Sequence, residues 1–120
     1  MHLRAGGSDS LRLTRLDSMR ADVVRAPLPL YMKGRTLARM GRTGEALAAL
    51  MMVDMSGHDR RLEALRWRTI GEMLFTQGRS EDARAAFWTS LNYRTEEVWR
   101  LRIGDWIDRC EWLSHREEAQ

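Results

Sequence analysis

The strongest constraint on this chain is an internal repeat with an offset of 37 residues. Residues 41–50, GRTGEALAAL, align with residues 78–87, GRSEDARAAF. Upstream, Gly34 aligns with Gly71 and Leu37 with Leu74. The matched positions are the small and the large apolar ones, which is the pattern that packing imposes. A repeat of this length predicts one supersecondary unit per copy, with the copies stacked on each other.

Each copy is predicted to contain two helices. In copy one they span residues 28–40 and 44–55, and Gly41 ends the first because Gly commonly stands just past a helix. In copy two they run from Asp59 or a neighbour to residue 77, and from about 80 to 93. Thr43 and Ser80 are expected to cap the second helix of each copy. Gly78 repeats the stop signal of Gly41.

Two glycines stand inside the helical patterns, at Gly34 and Gly71. A glycine within a helix costs about 1 kcal/mol relative to alanine. The simplest offset is a neighbouring helix that approaches closely, with Ala46 and Ala83 as the small residues facing the glycines. The sequence therefore predicts closely packed helix pairs.

These positions resemble the tetratricopeptide (TPR) family. In copy two the residues that carry the resemblance are Trp67, Ile70, Gly71, Leu74, Gly78, Ala83, Phe87 and Ser90. Copy one matches less fully, since Lys33 stands where an apolar residue is usual and Val53 where a small one is. The resemblance covers about residues 27–93. It implies an all-α fold in which antiparallel helical hairpins stack into a right-handed superhelix.

The flanks are predicted to cover the ends of this stack. The expected organisation is a flexible leader over 1–9, a packing helix over 10–26, repeats over 27–61 and 62–94, a capping helix over 95–116 and a tail over 117–120. That gives about six helices. The capping helix carries one continuous apolar stripe, formed by Trp99, Ile103, Trp106, Cys110 and Leu113. Its Ile103-Gly104 pair repeats the Ile70-Gly71 pair of copy two.

The TPR resemblance also implies a binding site, because the first helices of successive TPR repeats line a concave groove. The residues implied for this groove are Tyr31, Arg35, Arg39, Arg68, Glu72, Phe75, Arg102 and Asp105. Arginine and aromatic residues often carry the energy of protein interfaces. The expected ligand is a peptide or helix with acidic and apolar side chains. The alternative is that these residues are simply the solvated faces of three helices.

Charge adds a nucleic-acid alternative. The chain has 20 basic and 17 acidic residues, and Lys33 is the one basic residue that is not arginine. Arginines between residues 4 and 25, and a second group at Arg60, Arg61, Arg66 and Arg68, offer candidate phosphate contacts. Acidic residues are interspersed with them almost everywhere, which weighs against this interpretation.

Catalytic and metal chemistry is not expected. The three histidines are scattered, no phosphate-binding glycine loop is present, and Cys110 is the only cysteine. Because Cys110 lies on the apolar stripe, a buried inert thiol is favoured over a nucleophile paired with His115. The prediction is therefore a non-enzymatic protein without cofactor or metal.

Localisation and self-association complete the predictions. A single cysteine fits a reducing compartment, and neither a secretion signal nor a membrane span is recognisable, so a cytoplasmic protein is expected.

Trp88 and Trp99 are expected to be exposed, and such apolar surface indicates a protein partner or self-association. The leading function is an adaptor or small chaperone-like scaffold, and a homo-oligomeric structural module is the alternative.

Overall fold

A computed structural model describes residues 27–53 and 59–119 of the chain. Those residues form five α-helices and no strand, so the predicted all-α class is confirmed. The helices are α1 (Pro27–Arg39), α2 (Thr43–Met52), α3 (Arg60–Thr76), α4 (Ser80–Tyr93) and α5 (Glu97–Ala119). The leader and the helix predicted over residues 1–26 lie outside the described residues. The chain divides into two compact units, Met1–Asp54 and Met55–Gln120.

The predicted glycine stops are confirmed in both helix pairs. Gly41 has a φ of 79° and Gly78 a φ of 80°, which is left-handed backbone that glycine adopts without steric cost. After α1, the Gly41 amide donates to Ala38 O at 3.1 Å and the Arg42 amide to Leu37 O at 3.0 Å. The same pair of bonds recurs around Gly78. Both helices thus end in a Schellman motif that satisfies their last carbonyls.

The predicted N-caps of the second helices are wrong. Thr43 and Ser80 are already the first helical residues, and Arg42 and Arg79 occupy the cap positions without a side-chain cap bond. Each arginine instead pairs with the carboxylate three positions later, at 2.6 Å for Arg42 and 2.8 Å for Arg79. Asp59 instead caps α3, because its carboxylate accepts from the Arg61 amide at 2.8 Å.

Two helix ends differ by three residues from those predicted. Helix α2 ends at Met52 rather than 55, because Val53 adopts extended backbone and turns its side chain into the interior. Helix α3 begins at Arg60, which agrees with the predicted start at Asp59 or a neighbour. Helix α5 continues to Ala119, through part of the predicted tail, since residues 113–119 contain neither Gly nor Pro to stop it.

The close approach expected at the mid-helix glycines is confirmed, but the residues nearest to them are the large Leu50 and Phe87 and not the small Ala46 and Ala83. A Cβ placed on Gly34 would lie 2.7 Å from the Leu50 side chain, and one on Gly71 would lie 2.7 Å from the Phe87 ring. Leu50 and Phe87 are both fully buried. In each helix pair, the missing glycine side chain makes the space that a large residue of the second helix fills.

Helix α5 packs into the second unit through the stripe predicted from sequence. Ile103 and Cys110 are fully buried, and Trp106 stacks on Phe87 with ring centroids 5.3 Å apart. Trp99 is also buried, at 5% exposure, so the expectation that it is exposed is wrong, while Trp88 is exposed as expected. None of the described helices has the length and apolar character that crossing a lipid bilayer requires.

Candidate protein-binding surface

The structure divides the predicted groove residues between the two compact units. Tyr31, Arg35 and Arg39 lie on α1 in the first unit. The other five lie in the second unit, where α3 carries Arg68, Glu72 and Phe75 and α5 carries Arg102 and Asp105. Within the second unit these two helices contribute to one surface, called here the α3/α5 surface, since aromatic contacts join them directly.

The position of Tyr31 contradicts its predicted role. Its side chain is 2% exposed, so it offers no area to a ligand and belongs to the interior of the first unit. The Arg35 guanidinium lies over the Tyr31 ring, 5.9 Å from its centroid. Arg35 is half-buried and Arg39 is exposed. On α1, the accessible part of the predicted site is therefore basic rather than aromatic.

Most charges of the α3/α5 surface are held by neighbours on their own helix. Arg68 donates to Glu72 at 2.9 Å, and its guanidinium lies 5.6 Å from the centroid of Trp99. Asp105 pairs with Arg109 at 2.9 Å. Arg102 is exposed, one turn before Asp105. An acidic ligand would meet Arg102 directly and would compete with Asp105 for Arg109.

Aromatic side chains connect the two helices of this surface. The Phe75 ring meets Trp106 edge-on with centroids 5.3 Å apart, and Trp106 also stacks on the Phe87 ring and lies under the Arg109 guanidinium, 4.7 Å from the ring centroid. Edge-to-face and stacked pairs of this kind add to the stabilisation from burial alone. Phe75 is thereby fixed in orientation while remaining half-exposed.

An apolar pocket opens beside Phe75. It has a volume of about 410 Å³ and is lined by Phe75, Asp108, Arg109, Trp112 and Leu113. Trp112 is 58% exposed, and the Arg116 guanidinium lies 4.8 Å from its ring centroid. A concave apolar site with a few charged groups at its edge is the usual form of a ligand-binding pocket.

Sequence reasoning did not place Trp112 in the site. The available signal was its spacing, because Asp105, Arg109 and Trp112 follow one another at helical intervals of four and three residues. Arg102, Asp105, Arg109 and Trp112 thus lie on one side of α5.

The second arginine group does not form a basic patch. Arg60 donates to Asn92 O at 2.7 Å and lies over the Tyr93 ring. Arg66 is buried and makes two bonds of 2.8 Å to the buried Glu63. Arg68 is paired with Glu72. Arg61 is exposed, but one exposed arginine beside three that are held by neighbours is fewer than the several that a phosphate backbone requires on one accessible surface. The arginines between residues 4 and 25 lie outside the described residues.

Cys110 is fully buried, as the apolar stripe predicted. Burial raises the pKa of its thiol from 9.0 to about 11, with the Arg84 charge acting weakly in the opposite direction. A thiol with such a pKa is almost entirely protonated at neutral pH and is a poor nucleophile. Over residues 27–53 and 59–119, no three His, Cys, Asp or Glu side chains are grouped so that they could hold a metal ion.

Comparisons with protein-family models, with curated proteins and with solved structures found no match to this chain.

Proposed function

We propose that this protein is a non-enzymatic interaction module of the TPR type, a cytoplasmic adaptor or small chaperone-like scaffold. Under this proposal its two helix pairs and flanking helices, about six in all, stack as a right-handed superhelix. The second unit binds a peptide or helix of a partner protein on its α3/α5 surface. The support for the repeat architecture is the equivalence of the two helix pairs, in their glycine stops, their arginine–acid pairs and their glycine contacts.

The pocket beside Phe75 is the observation that carries the binding proposal. It combines exposed indole surface at Trp112 with the guanidinium of Arg109, and Trp and Arg are enriched among residues that dominate interface energies. Arg102 supplies a further positive charge on the same side of α5. These groups suit a ligand that inserts an apolar side chain beside Trp112 and places a carboxylate near Arg102 or Arg109.

The direct test is a selection of peptides that bind the purified protein from a random displayed library. Peptides recovered with the wild-type protein should carry an aromatic or aliphatic residue near acidic ones. Their affinity should fall about tenfold or more for Trp112→Ser, because removal of a central Trp commonly costs 2 kcal/mol or more.

Trp88→Ser is the matched control for this selection. Trp88 belongs to the same unit, is exposed to a similar degree at 52%, and does not line the pocket. Its replacement should leave the affinity of the selected peptides unchanged. Peptides that bind Trp112→Ser as tightly as the wild type would overturn the assignment of the pocket. Light scattering that showed a dimer dissociated by Trp112→Ser would favour the homo-oligomeric alternative.

A further inference from the structure

Gly34, Gly71 and Gly104 each lie within a helix, and Ile103-Gly104 repeats the Ile70-Gly71 pair, but the surroundings of the three glycines differ. The spaces at Gly34 and Gly71 are filled by Leu50 and Phe87, which a Cβ would approach to 2.7 Å. At Gly104, on α5, a Cβ would meet nothing within 4 Å. The position that receives a large side chain from a second helix in both helix pairs is therefore open on α5.

A groove surrounds this open position. It runs between α4 and α5, has a volume of about 560 Å³, and does not include Phe75 in its lining. Its apolar lining residues are Trp88, Leu91, Leu101 and Ile107. Trp88 is 52% exposed and Leu101 is 67% exposed, whereas Ile107 is buried in the floor. Contiguous exposed apolar surface of this kind marks an interaction site more often than a solvated face.

Charged residues at the edge of the groove restrict what could occupy it. They are three acids, Glu97, Asp108 and Glu111, and one base, Arg100. Glu111 accepts a bond from Arg84 at 3.3 Å. Glu97, Arg100 and Asp108 form no ion pair with any other residue in the described ranges. Asp108 also borders the pocket beside Phe75. The excess of carboxylates favours an occupant that carries basic side chains beside its apolar stripe.

We infer that the α4/α5 groove binds an amphipathic α-helix of another polypeptide. The docking helix carries an alanine followed four residues later by Leu or Phe, and that larger side chain occupies the space above Gly104. Lysine or arginine residues flank the apolar stripe and face Glu97 and Asp108. The two helix pairs of this chain already contain such a contact, because Ala46 and Leu50 on α2, like Ala83 and Phe87 on α4, follow the same pattern.

Among the helices that the structure describes, those with this pattern are not readily offered by a second copy of the chain. In α2 and α4 the patterned residues are at 0% exposure, since they are buried against the glycine helices of their own pairs. Presenting either helix to another molecule would require that pair to open. A helix from a different protein completes the groove without this cost, and the groove shares only Asp108 with the peptide-binding pocket proposed above.

The test uses a fluorescein-labelled helical peptide of 16 residues with an alanine-rich host sequence. It carries Ala and Phe four positions apart, with two lysines on each flank, and its binding to the full chain is followed by anisotropy. The wild-type protein should bind it. Replacing the peptide's Phe with Ser, or introducing Gly104→Leu into the protein, should each weaken binding about tenfold or more. Both changes remove the same contact, so their combination should cost little more than either alone.

The controls separate this groove from the pocket beside Phe75. Trp88→Ser should weaken binding of the helical peptide, while Trp112→Ser should leave it unchanged, which is the reverse of the pattern expected for the selected peptides. Glu97→Lys should reduce affinity for the lysine-flanked peptide and raise it for a glutamate-flanked version. Circular dichroism should show unchanged helicity for Gly104→Leu, because the new side chain enters open space.

Three results would overturn the inference. The first is no saturable binding at millimolar peptide, and the second is equal affinity for wild type and Gly104→Leu. The third is a wild-type dimer in sedimentation that Gly104→Leu converts to monomer, because the groove would then be occupied by a second copy of this chain.

Discussion

The indole Nε1–H of Trp99 donates to Ser90 Oγ at 3.2 Å, and Ser90 in turn donates to Ala64 O at 2.7 Å. All three residues are buried, and they belong to α5, α4 and α3 respectively. One hydroxyl therefore satisfies polar groups on two neighbouring helices in a place that water does not reach. Buried groups of this kind are costly to leave unpaired.

Ser90→Ala is expected to destabilise the protein by about 1–3 kcal/mol, because it leaves the buried Trp99 N–H without its acceptor and removes the side-chain bond to the Ala64 carbonyl. Urea unfolding followed by far-ultraviolet circular dichroism would measure the change. Thr89→Ala is the matched control, since its hydroxyl bonds only within α4, to Ala85 O. An equal loss in the two variants would contradict the role given to Ser90.

The stability of the protein should change in opposite directions when Gly71 and Gly104 are each replaced by alanine. Gly71→Ala is expected to cost about 1–3 kcal/mol, because the new methyl group would overlap the rigid, buried Phe87 ring. Gly104→Ala should instead stabilise the protein by up to about 1 kcal/mol, through the higher helix propensity of alanine in open space. Thermal unfolding of both variants measures the contrast. A loss of stability in Gly104→Ala would show that the groove above α5 is already filled.

The buried Glu63–Arg66 pair should be far more sensitive to truncation than an exposed pair of the same spacing. Arg66→Ala leaves a buried carboxylate without its cation and is expected to cost about 3–5 kcal/mol. Arg79→Ala, which breaks the exposed pair with Asp82, should cost less than about 1 kcal/mol. Denaturant unfolding compares the two. An equal loss of stability in the two variants would mean that burial adds little to the strength of the Glu63–Arg66 pair.

Removing both members of the buried pair separates the charge effect from the loss of packing. Glu63→Ala combined with Arg66→Ala should be less destabilising than the sum of the two single variants, because neither charge is then left alone. A strictly additive double variant would indicate that the pair contributes only through its aliphatic stems.

The buried thiol of Cys110 should resist alkylation in the folded protein. With a pKa of about 11 instead of 9.0, the thiolate is about a hundredfold scarcer at pH 8 than in the unfolded chain, and burial slows access further. Mass spectrometry after iodoacetamide treatment would follow the labelling. Rapid labelling in native buffer, at the rate seen in urea, would show that the α5 stripe opens readily.

The same thiol makes the free energy of unfolding depend on pH in the alkaline range. As pH rises above 9.0, the unfolded chain loses the Cys110 proton while the folded chain retains it until about pH 11. The folded state therefore binds more protons over that window, and its stability falls as pH rises. Unfolding titrations at pH 8 and pH 10 should show this fall, and Cys110→Ala should reduce it.

The helix pairs were predictable because their signals are local. Gly41 and Gly78 end helices through bonds that span only a few residues. The position of Gly34 and Gly71 within helical patterns predicted a close contact. The caps were not predictable in the same way. Thr43 and Ser80 have the right chemistry, but the helices start one residue earlier than expected, and Ser80 shares its hydroxyl with Ser114 on α5 instead.

The candidate site was less predictable because it depends on contacts between distant segments. Helical periodicity places Tyr31 on a face of α1, yet it does not say whether other residues cover that face. The pocket beside Phe75 exists because Trp106 holds that ring from another helix, and the sequence alone does not give this contact. Arg68, Glu72 and Asp105 do lie on the expected helices, but their charges are largely satisfied by neighbours.

The two glycine turns have a consequence for how the chain folds. Each joins helices that contact each other across a short stretch of sequence, so the entropy lost on forming either hairpin is small. Proteins dominated by such local contacts fold in microseconds to milliseconds. Since both hairpins carry their own turn, folding has two equivalent starting points along the chain.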